Sequence, residues 1–520
     1  MNDALFSGLA LGFSVASTPA NLLYCFVGAF LGTLIGVLPG LGPVATIALL
    51  LPVTYGMTPT GALIMLAGVY YGAQYGGSTT AILLNIPGET SSVVTALDGH
   101  KMARQGRAGI AITTAALASF FAGTVSTLVI AVSAPLLASF ALKFGSAEYF
   151  ALTILGIVGA VVLARGSLLK AIAMVVVGMA LGLVGLDVNS GQPRFTFGIT
   201  DLYDGIDIVP IAMGLFAISD IVDSLEKGRA GRGQAAPVDR LFARWRELGA
   251  AIRPTIRGTA VGSVLGLLPG SGAVLAAFAA YAVEKRIARD PSRFGQGAIE
   301  GVAAPEAANN AGAQTSFIPM LTLGIPPNAT MALMVAAMLI HGITPGPQII
   351  AKQPDLFWGL IASMWIGNLM LLLINLPLVA IWVSMLKIPY RYLYPLILVI
   401  CAIGVYSVNN APFNLLVLVV AGFAGWVLLK VGFEPAPLAL GFILGPVMEE
   451  NLRRALMISG GDVSVLVRSP TCVVLLALAA ILLATTLAQH VRRKRDEALQ
   501  EGSASLNPAS GVDDPRLPAL

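Results

Sequence analysis

GTLIGVLPGLGPV, Gly32 to Val44, decides how the rest of the chain is read, because the chain writes it twice. Shifted by 230 positions, Gly262 to Val274 reads GSVLGLLPGSGAV. Gly32, Gly36, Leu38, Pro39, Gly40, Gly42 and Val44 are matched by Gly262, Gly266, Leu268, Pro269, Gly270, Gly272 and Val274. Seven identities in thirteen registered residues mark two copies of one unit. Around the first copy, no Asp, Glu, Lys or Arg occurs between Asp3 and Glu89, and a water-soluble domain cannot do without ionised surface over such a length. The solvent of this stretch is lipid. Pro39 removes a backbone donor and the flanking glycines permit close approach, so the helix breaks there. In hydrocarbon each freed N–H or C=O costs several kcal/mol, and such a break survives only when buried in protein or lining a polar cavity. A single Pro-Gly reads as a packed kink. Paired interruptions at matching places in two halves point instead to a transporter's midplane site.

The 520 residues are 56% hydrophobic and 11% charged, with mean hydropathy +0.83. Long continuous apolar runs predict an all-α polytopic integral membrane protein; a transmembrane barrel would alternate over segments of about ten residues. The expected fold is two sequence repeats with Pro-Gly-broken and re-entrant helical elements, in roughly 10–14 membrane segments. Net charge is only +4, and the basic residues gather at the ends of apolar runs, so they set topology and do not form a nucleic-acid surface. Cys25, Cys401 and Cys472 stand singly in apolar context and read as small buried hydrophobes. The opening MNDALFSGLALGFSVAS lacks the basic region of a cleaved signal and is expected to stay on the mature chain.

Spans fit residues 21–38, 59–71, 108–142, 149–163, 168–186 and 208–221 in the first half. In the second they fit 357–386, 393–408, 413–429, 437–447 and 471–489. Tyr70 to Ser92, YYGAQYGGSTTAILLNIPGETSS, is dense in Gly, Ser, Thr and Asn and reads as a re-entrant or unwound element. DGHKMARQGR, Asp98 to Arg107, reads as a loop. Ala304 to Thr330, APEAANNAGAQTSFIPMLTLGIPPNAT, answers to Tyr70–Ser92, and Ala118, Ser119 and Gly123 to Ala362, Ser363 and Gly367. Residues 226–257 hold eight Lys or Arg against three acids, which makes this inter-repeat loop cytoplasmic. The expected organisation is therefore a first transmembrane repeat over 1–225, the basic loop 226–257, a second repeat with extra C-terminal spans over 258–490, and a disordered cytoplasmic tail over 491–520. Bases on both flanks of the second break, Arg257 before and Lys285 and Arg286 after, favour a hairpin over a broken full span.

These motifs resemble the large membrane subunit of the tripartite tricarboxylate transporter family. The doubled pattern ending in Pro-Gly-x-Gly, YGGSTTAILLNIPGE, and APEAANNAG followed by LTLGIP carry the resemblance, over nearly the whole chain to about residue 490. Gln314-Thr315 and Pro326-Pro327 depart from the Gly-Gly and Pro-Gly that the family pattern leads one to expect. The resemblance implies a secondary carboxylate uptake system of the bacterial inner membrane. It further implies a small four-helix-type membrane subunit and a periplasmic solute-binding protein as partners, with an organic carboxylate as substrate.

A carboxylate dehydrated at the midplane needs many donors without a large buried charge, and half-helix N-termini supply them. The candidate substrate-binding residues are Pro39, Gly40, Gly42, Gly76, Gly77, Ser78, Thr79 and Thr80 in the first half. Pro269, Gly270, Ser271, Gly272, Asn309, Asn310, Thr315 and Ser316 are those of the second. Ser and Thr also bond across packed membrane helices, which is the plainer reading of any one of them. Unwound carbonyls near Asn85, Gly324 and Pro326 suit Na⁺, and Glu89 and Glu306 suit a coupling proton, since an ionisable group there is expensive. Glu89 equally reads as a helix cap. No cofactor is expected beyond Na⁺ or H⁺ as coupling ion, and no metal beyond Na⁺. Enzyme motifs such as GxSxG, HExxH or a phosphate loop are missing from the sequence. The rival functions are an uncoupled anion channel, an intramembrane enzyme and a scaffolding subunit.

Overall fold

A chain this poor in charge must close every backbone hydrogen bond within itself, and in lipid the helix does so. A computed structural model describes residues 2–38, 42–85, 88–162, 167–187, 190–226, 245–268, 272–385 and 390–506. In the first half the helices are α1 (Asn2–Ala16), α2 (Pro19–Val37), α3 (Pro43–Thr54), α4 (Pro59–Leu84), α5 (Val93–Met102), α6 (Ala108–Ala141), α7 (Ser146–Val162), α8 (Leu168–Gly182), α9 (Ile208–Ala212) and α10 (Ser219–Glu226). The second begins with α11 (Trp245–Leu265), α12 (Gly272–Ile287), α13 (Glu300–Thr315), α14 (Phe317–Leu323), α15 (Ala329–Ile340), α16 (Ile349–Lys352) and α17 (Pro354–Asn375). It continues with α18 (Val379–Met385), α19 (Tyr390–Asn409), α20 (Pro412–Lys430), α21 (Pro435–Ile458), α22 (Val465–Arg468) and α23 (Pro470–Leu506). The described strands are β1 (Gly185–Leu186) and β2 (Pro193–Arg194), one antiparallel hairpin in the polar segment after α8. Among the described residues, six helical stretches are long and apolar enough to cross a membrane, including Pro19–Val37, Pro354–Asn375 and Pro470–Ala488. The protein is an all-α polytopic membrane protein.

Both breaks are present: α2 stops at Val37 and α3 starts at Pro43; α11 stops at Leu265 and α12 starts at Gly272. Pro39, Gly40, Pro269, Gly270 and Ser271 lie outside the described residues. Arg257 on α11 and Glu284 on α12 form an ion pair of 2.6 Å, so the limbs of the second break run back along each other as a hairpin.

The broken helices pack by glycine. Gly28, Gly32 and Gly36 of α2 abut the backbone of Met65, Val69 and Ala73 of α4. Gly258 and Gly262 of α11, and Gly266 just past its end, abut Ala304, Ala308 and Gly312 of α13 in the same way. A four-residue spacing puts each set on one helix face and lets the axes approach as no larger residue would. The units then interlock: α6 of the first packs on α13 of the second, and α17 of the second on α4 of the first.

Four sequence expectations are corrected. Most of Tyr70–Ser92 is helical: α4 runs unbroken to Leu84, every residue from Gly61 to Leu83 buried, and the chain leaves the helix only at Asn85 (φ 58°). Its hydroxyls turn back on their own helix, Ser78 to the Gln74 carbonyl and Thr79 to that of Tyr75, so the polar composition needs no water. Asp98–Arg107 is mostly helix and not a loop, since α5 continues to Met102 and the chain kinks only at Gly106 (φ 75°) before α6. The stretch 245–257, assigned to the inter-repeat loop, is the first part of α11, its Thr255 and Thr259 hydroxyls bonded to carbonyls four residues back. Residues 491–506 continue α23 as a helix, which their Arg, Glu, Ala, Leu and Gln content favours; 227–244 and 507–520 lie outside the described residues.

Candidate functional site

Helical spacing aims α4 and α13 at each other. On α4, Tyr70, Gln74 and Ser78 recur every four residues; on α13, Glu306, Asn309 and Asn310 stand three and four apart. Glu306 is 1% exposed. The Ser78 hydroxyl of α4 lies 2.7 and 2.8 Å from its two carboxyl oxygens. The Thr95 hydroxyl of α5 donates to Oε1, and Ser119 Oγ of α6 stands 3.4 Å from Oε2. Asn310 braces the cage, its amide 2.7 Å from Ser119 Oγ and 3.1 Å from the Glu306 carbonyl. Three helices of the first half thus surround one carboxyl group of the second half with hydroxyls.

A second carboxyl group lies beside it. The Asn309 amide is 3.2 Å from Glu89 Oε1. Ser91 donates to the same oxygen, and its hydroxyl is 3.2 Å from Gln74 Oε1. Glu89 closes a capping box on the turn Thr90–Ser92 that leads into α5, so the structure gives it the helix-cap role. Gly77 makes room for it, because a side chain there would meet Glu89 Cγ at 2.9 Å. Among the described residues neither Glu89 nor Glu306 joins an ion pair.

The two halves build this region reciprocally. Asn85 closes α4 in the left-handed conformation (φ 58°), and Gly324 closes α14 in the same way (φ 74°). Four residues after each stands an extended N-cap, Glu89 in the first half and Asn328 in the second, where Asn328 Oδ1 accepts from Met331 N at 3.0 Å. Asn309 of the second half reaches Glu89, the cap of the first; Tyr70, which occupies the matching place on α4, interacts with Asn328, the cap of the second. Tyr70 thus lies near the caps of two helix N-termini, Glu89 and Asn328, and Asn309 reaches the first of them. Three acceptors close by, Asn309 Oδ1, Gln314 Oε1 and the Tyr71 hydroxyl, are buried without a partner among the described residues.

The remaining sequence candidates divide. Ser78, Asn309 and Asn310 join the network. Ser78, Thr79 and Thr80 do not begin a helix, which corrects the geometry expected of them; Thr80 donates to the last α2 carbonyl, Val37 O, at 2.8 Å. Ser316 approaches Gly266 O at 3.3 Å and Thr315 returns to Ala311 O at 3.0 Å, so these hydroxyls mend the ends and turns that the breaks leave open. Gly76 lies in the α2–α4 contact, Gly272 packs on Gly266, and Gly42 is the extended residue before α3. Pro326 is buried in the turn after Gly324. Sequence reasoning missed Gln74, Ser91, Thr95 and Asn328 as members of the site; Ser119 it used only to register the repeat. A cavity of about 250 Å³ between α6 and α11, lined by Leu117, Phe121, Leu248 and Ile252 with Thr114 and Thr255, is largely apolar.

Paired broken helices at matching places in a multi-pass helical bundle are an arrangement that membrane transporters use. The chain belongs to the tripartite tricarboxylate transporter TctA family, whose model matches residues 22–440. That family forms the large membrane subunit of a tripartite system, which implies partner subunits. An uncharacterised 52.8 kDa protein of the TAR-I ttuC' 3' region of Agrobacterium vitis is 56% identical over 497 residues, covering 96% of this chain and 99% of that protein. A second uncharacterised protein, of the TAR-II ttuC' 3' region of the same organism, is 57% identical over 240 residues, 46% of this chain and 99% of its own length. No solved structure matches.

Proposed function

We propose that this chain is the permease subunit of a binding-protein-dependent secondary transporter that takes up di- or tricarboxylates by Na⁺- or H⁺-coupled alternating access. It works in the bacterial inner membrane with a small membrane subunit and a periplasmic solute-binding protein, its inter-repeat loop and C-terminus in the cytoplasm. The observation that carries the reading is the pair of helix N-termini capped by Glu89 and Asn328 and approached by Asn309 and Tyr70, with no fixed cation beside them among the described residues. N–H dipoles and amides hold an anion there without the desolvated Lys or Arg that would bind it too tightly to release.

The test is uptake of labelled di- and tricarboxylates into proteoliposomes holding this chain, its small partner and the purified binding protein, under imposed Na⁺ or H⁺ gradients. Accumulation above equilibrium that vanishes without the binding protein is the expected outcome. Downhill flux under every gradient would instead identify a channel, and no uptake by an intact complex would refute the carboxylate reading.

A further inference from the structure

Counting protons in the Glu306 cage gives an unexpected result. Ser78 Oγ stands within hydrogen-bond distance of three acceptors: the Gln74 carbonyl at 3.0 Å and the Glu306 oxygens at 2.7 and 2.8 Å. A hydroxyl carries one hydrogen, so it cannot serve the helix carbonyl and the carboxylate together. With Glu306 ionised, Ser78 must abandon Gln74 O to stabilise the charge. When Glu306 is neutral, its own O–H donates to Ser78 Oγ and the Ser78 hydrogen returns to Gln74 O, satisfying every group. Both states fit the same heavy-atom positions, and only hydrogens turn.

We infer that Glu306 is the binding site of the coupling ion and that the ion is a proton. Loading forms one O–H bond on the Glu306 carboxyl, and the Ser78 hydroxyl rotates from the carboxylate to the Gln74 carbonyl; release reverses both. The proton supplies the positive charge that this carboxyl otherwise lacks, since a buried charge needs a partner or must be neutralised. Thr95 and Ser119 keep the ionised form solvated during the unloaded step. Asn310 holds Ser119 and the adjacent Asn309 holds Glu89, so the cage and the Glu89 cap are tied to the same helix, α13.

The titratable neighbours are few. On α4, Tyr75 faces Glu306, and Glu89 faces it from the turn before α5. Asp98 on α5 is taken up by the loop before α13, and His100 by the Ile82 carbonyl. Arg257 of α11 is paired with Glu284 of α12, Tyr281 of α12 donates to Asp98, and α6 has no titratable side chain. A fixed cation to replace the proton is thus missing from the described residues facing Glu306.

This inference deepens the proposed carrier reading and rests on it for its meaning, so its first test uses no solute. Infrared difference spectra of the purified chain between acid and neutral pH are expected to show a protonated-carboxyl band that is lost on alkalinisation, is absent in Glu306→Gln and is indifferent to Na⁺. Ser78→Ala keeps the band and shifts its frequency, because the carboxyl O–H loses its acceptor; this variant decides the matter if Glu306→Gln does not fold. Absence of a titrating band assignable to Glu306, or its removal by Na⁺ at constant pH, overturns the inference, the second outcome making the cage a sodium site. In proteoliposomes with its partner proteins, the wild type should accumulate solute about tenfold per pH unit for each coupled proton. Glu306→Gln should not exceed equilibrium, and pH-driven accumulation by that variant would refute the proposal. A wrong solute class abolishes only the second assay and leaves the infrared decision standing.

Discussion

Asp98 illustrates what a single side chain does in this molecule. It is 0% exposed and accepts from the backbone N–H groups of Gly295, Gly297 and Ala298, each at 2.8 Å, and from the Tyr281 hydroxyl at 2.9 Å. Through it α5 of the first half holds the entry to α13 of the second, and with it the helix that carries Glu306. Asp98→Ala strands buried donors and should cost about 3 kcal/mol or more, against a smaller loss for Asp98→Asn, whose amide oxygen still accepts. Thermal unfolding of the detergent-solubilised variants checks the order. At this scale the sequence revealed the costly residues, Glu89 and Glu306, because ionisable groups in apolar runs are conspicuous. It misread Asp98 because the charges that follow it up to Arg107 look like a loop, and it could not see Thr95, Gln74 or Ser91, whose residue types are ordinary in a packed helix.

Among elements, the glycine faces of α2 and α11 are the clearest link from sequence to packing. Gly72, on the opposing face of α4, answers α2 in turn: a Cβ there would lie 2.5 Å from Ala29 O and 2.7 Å from Thr33 N, both backbone atoms that cannot swing aside. Gly72→Ala should therefore destabilise by about 1–3 kcal/mol through separation of α2 from α4. A Cβ added to Gly249 in α11 would meet nothing within 4 Å, and Gly249→Ala should be neutral or gain about 0.5–1 kcal/mol of helix propensity. The pair of melting temperatures separates a close-approach glycine from a dispensable one. The breaks at Pro39 and Pro269 were legible because proline cannot be helical donor and glycine marks contact. The continuity of α4 was not, since Gly-Gly-Ser-Thr-Thr favours a turn in water and becomes helix only when neighbouring helices exclude water from it.

For the whole molecule, the exchange of contacts, α6 with α13 and α17 with α4, means that neither half completes its core alone. Expressed as two polypeptides divided within 227–244, the halves should copurify from membranes, and recovery of either half alone as a stable monomer would contradict the interlocked arrangement. Ser126 of α6 and Ser263 of α11 have hydroxyl oxygens 3.1 Å apart. In the divided protein, Ser126→Cys with Ser263→Cys should give an oxidant-dependent covalent band joining the halves on non-reducing gels, and either single variant should not.

The sequence by itself determined the solvent of the chain, its helical class, the duplication, the two breaks and the family, because charge depletion, proline and glycine act through local chemistry that no later packing reverses. Only the tertiary structure decided which polar residues meet. Ser78, Thr95, Ser119 and Glu306 come from four helices and lie up to 228 positions apart, so the cage they form around one carboxyl group exists only once the halves have interlocked. The same closure turns Asn309 toward Glu89 and Tyr70 toward Asn328. A buried hydrogen bond is a relation between two side chains, and sequence spacing fixes that relation within a helix but not between helices.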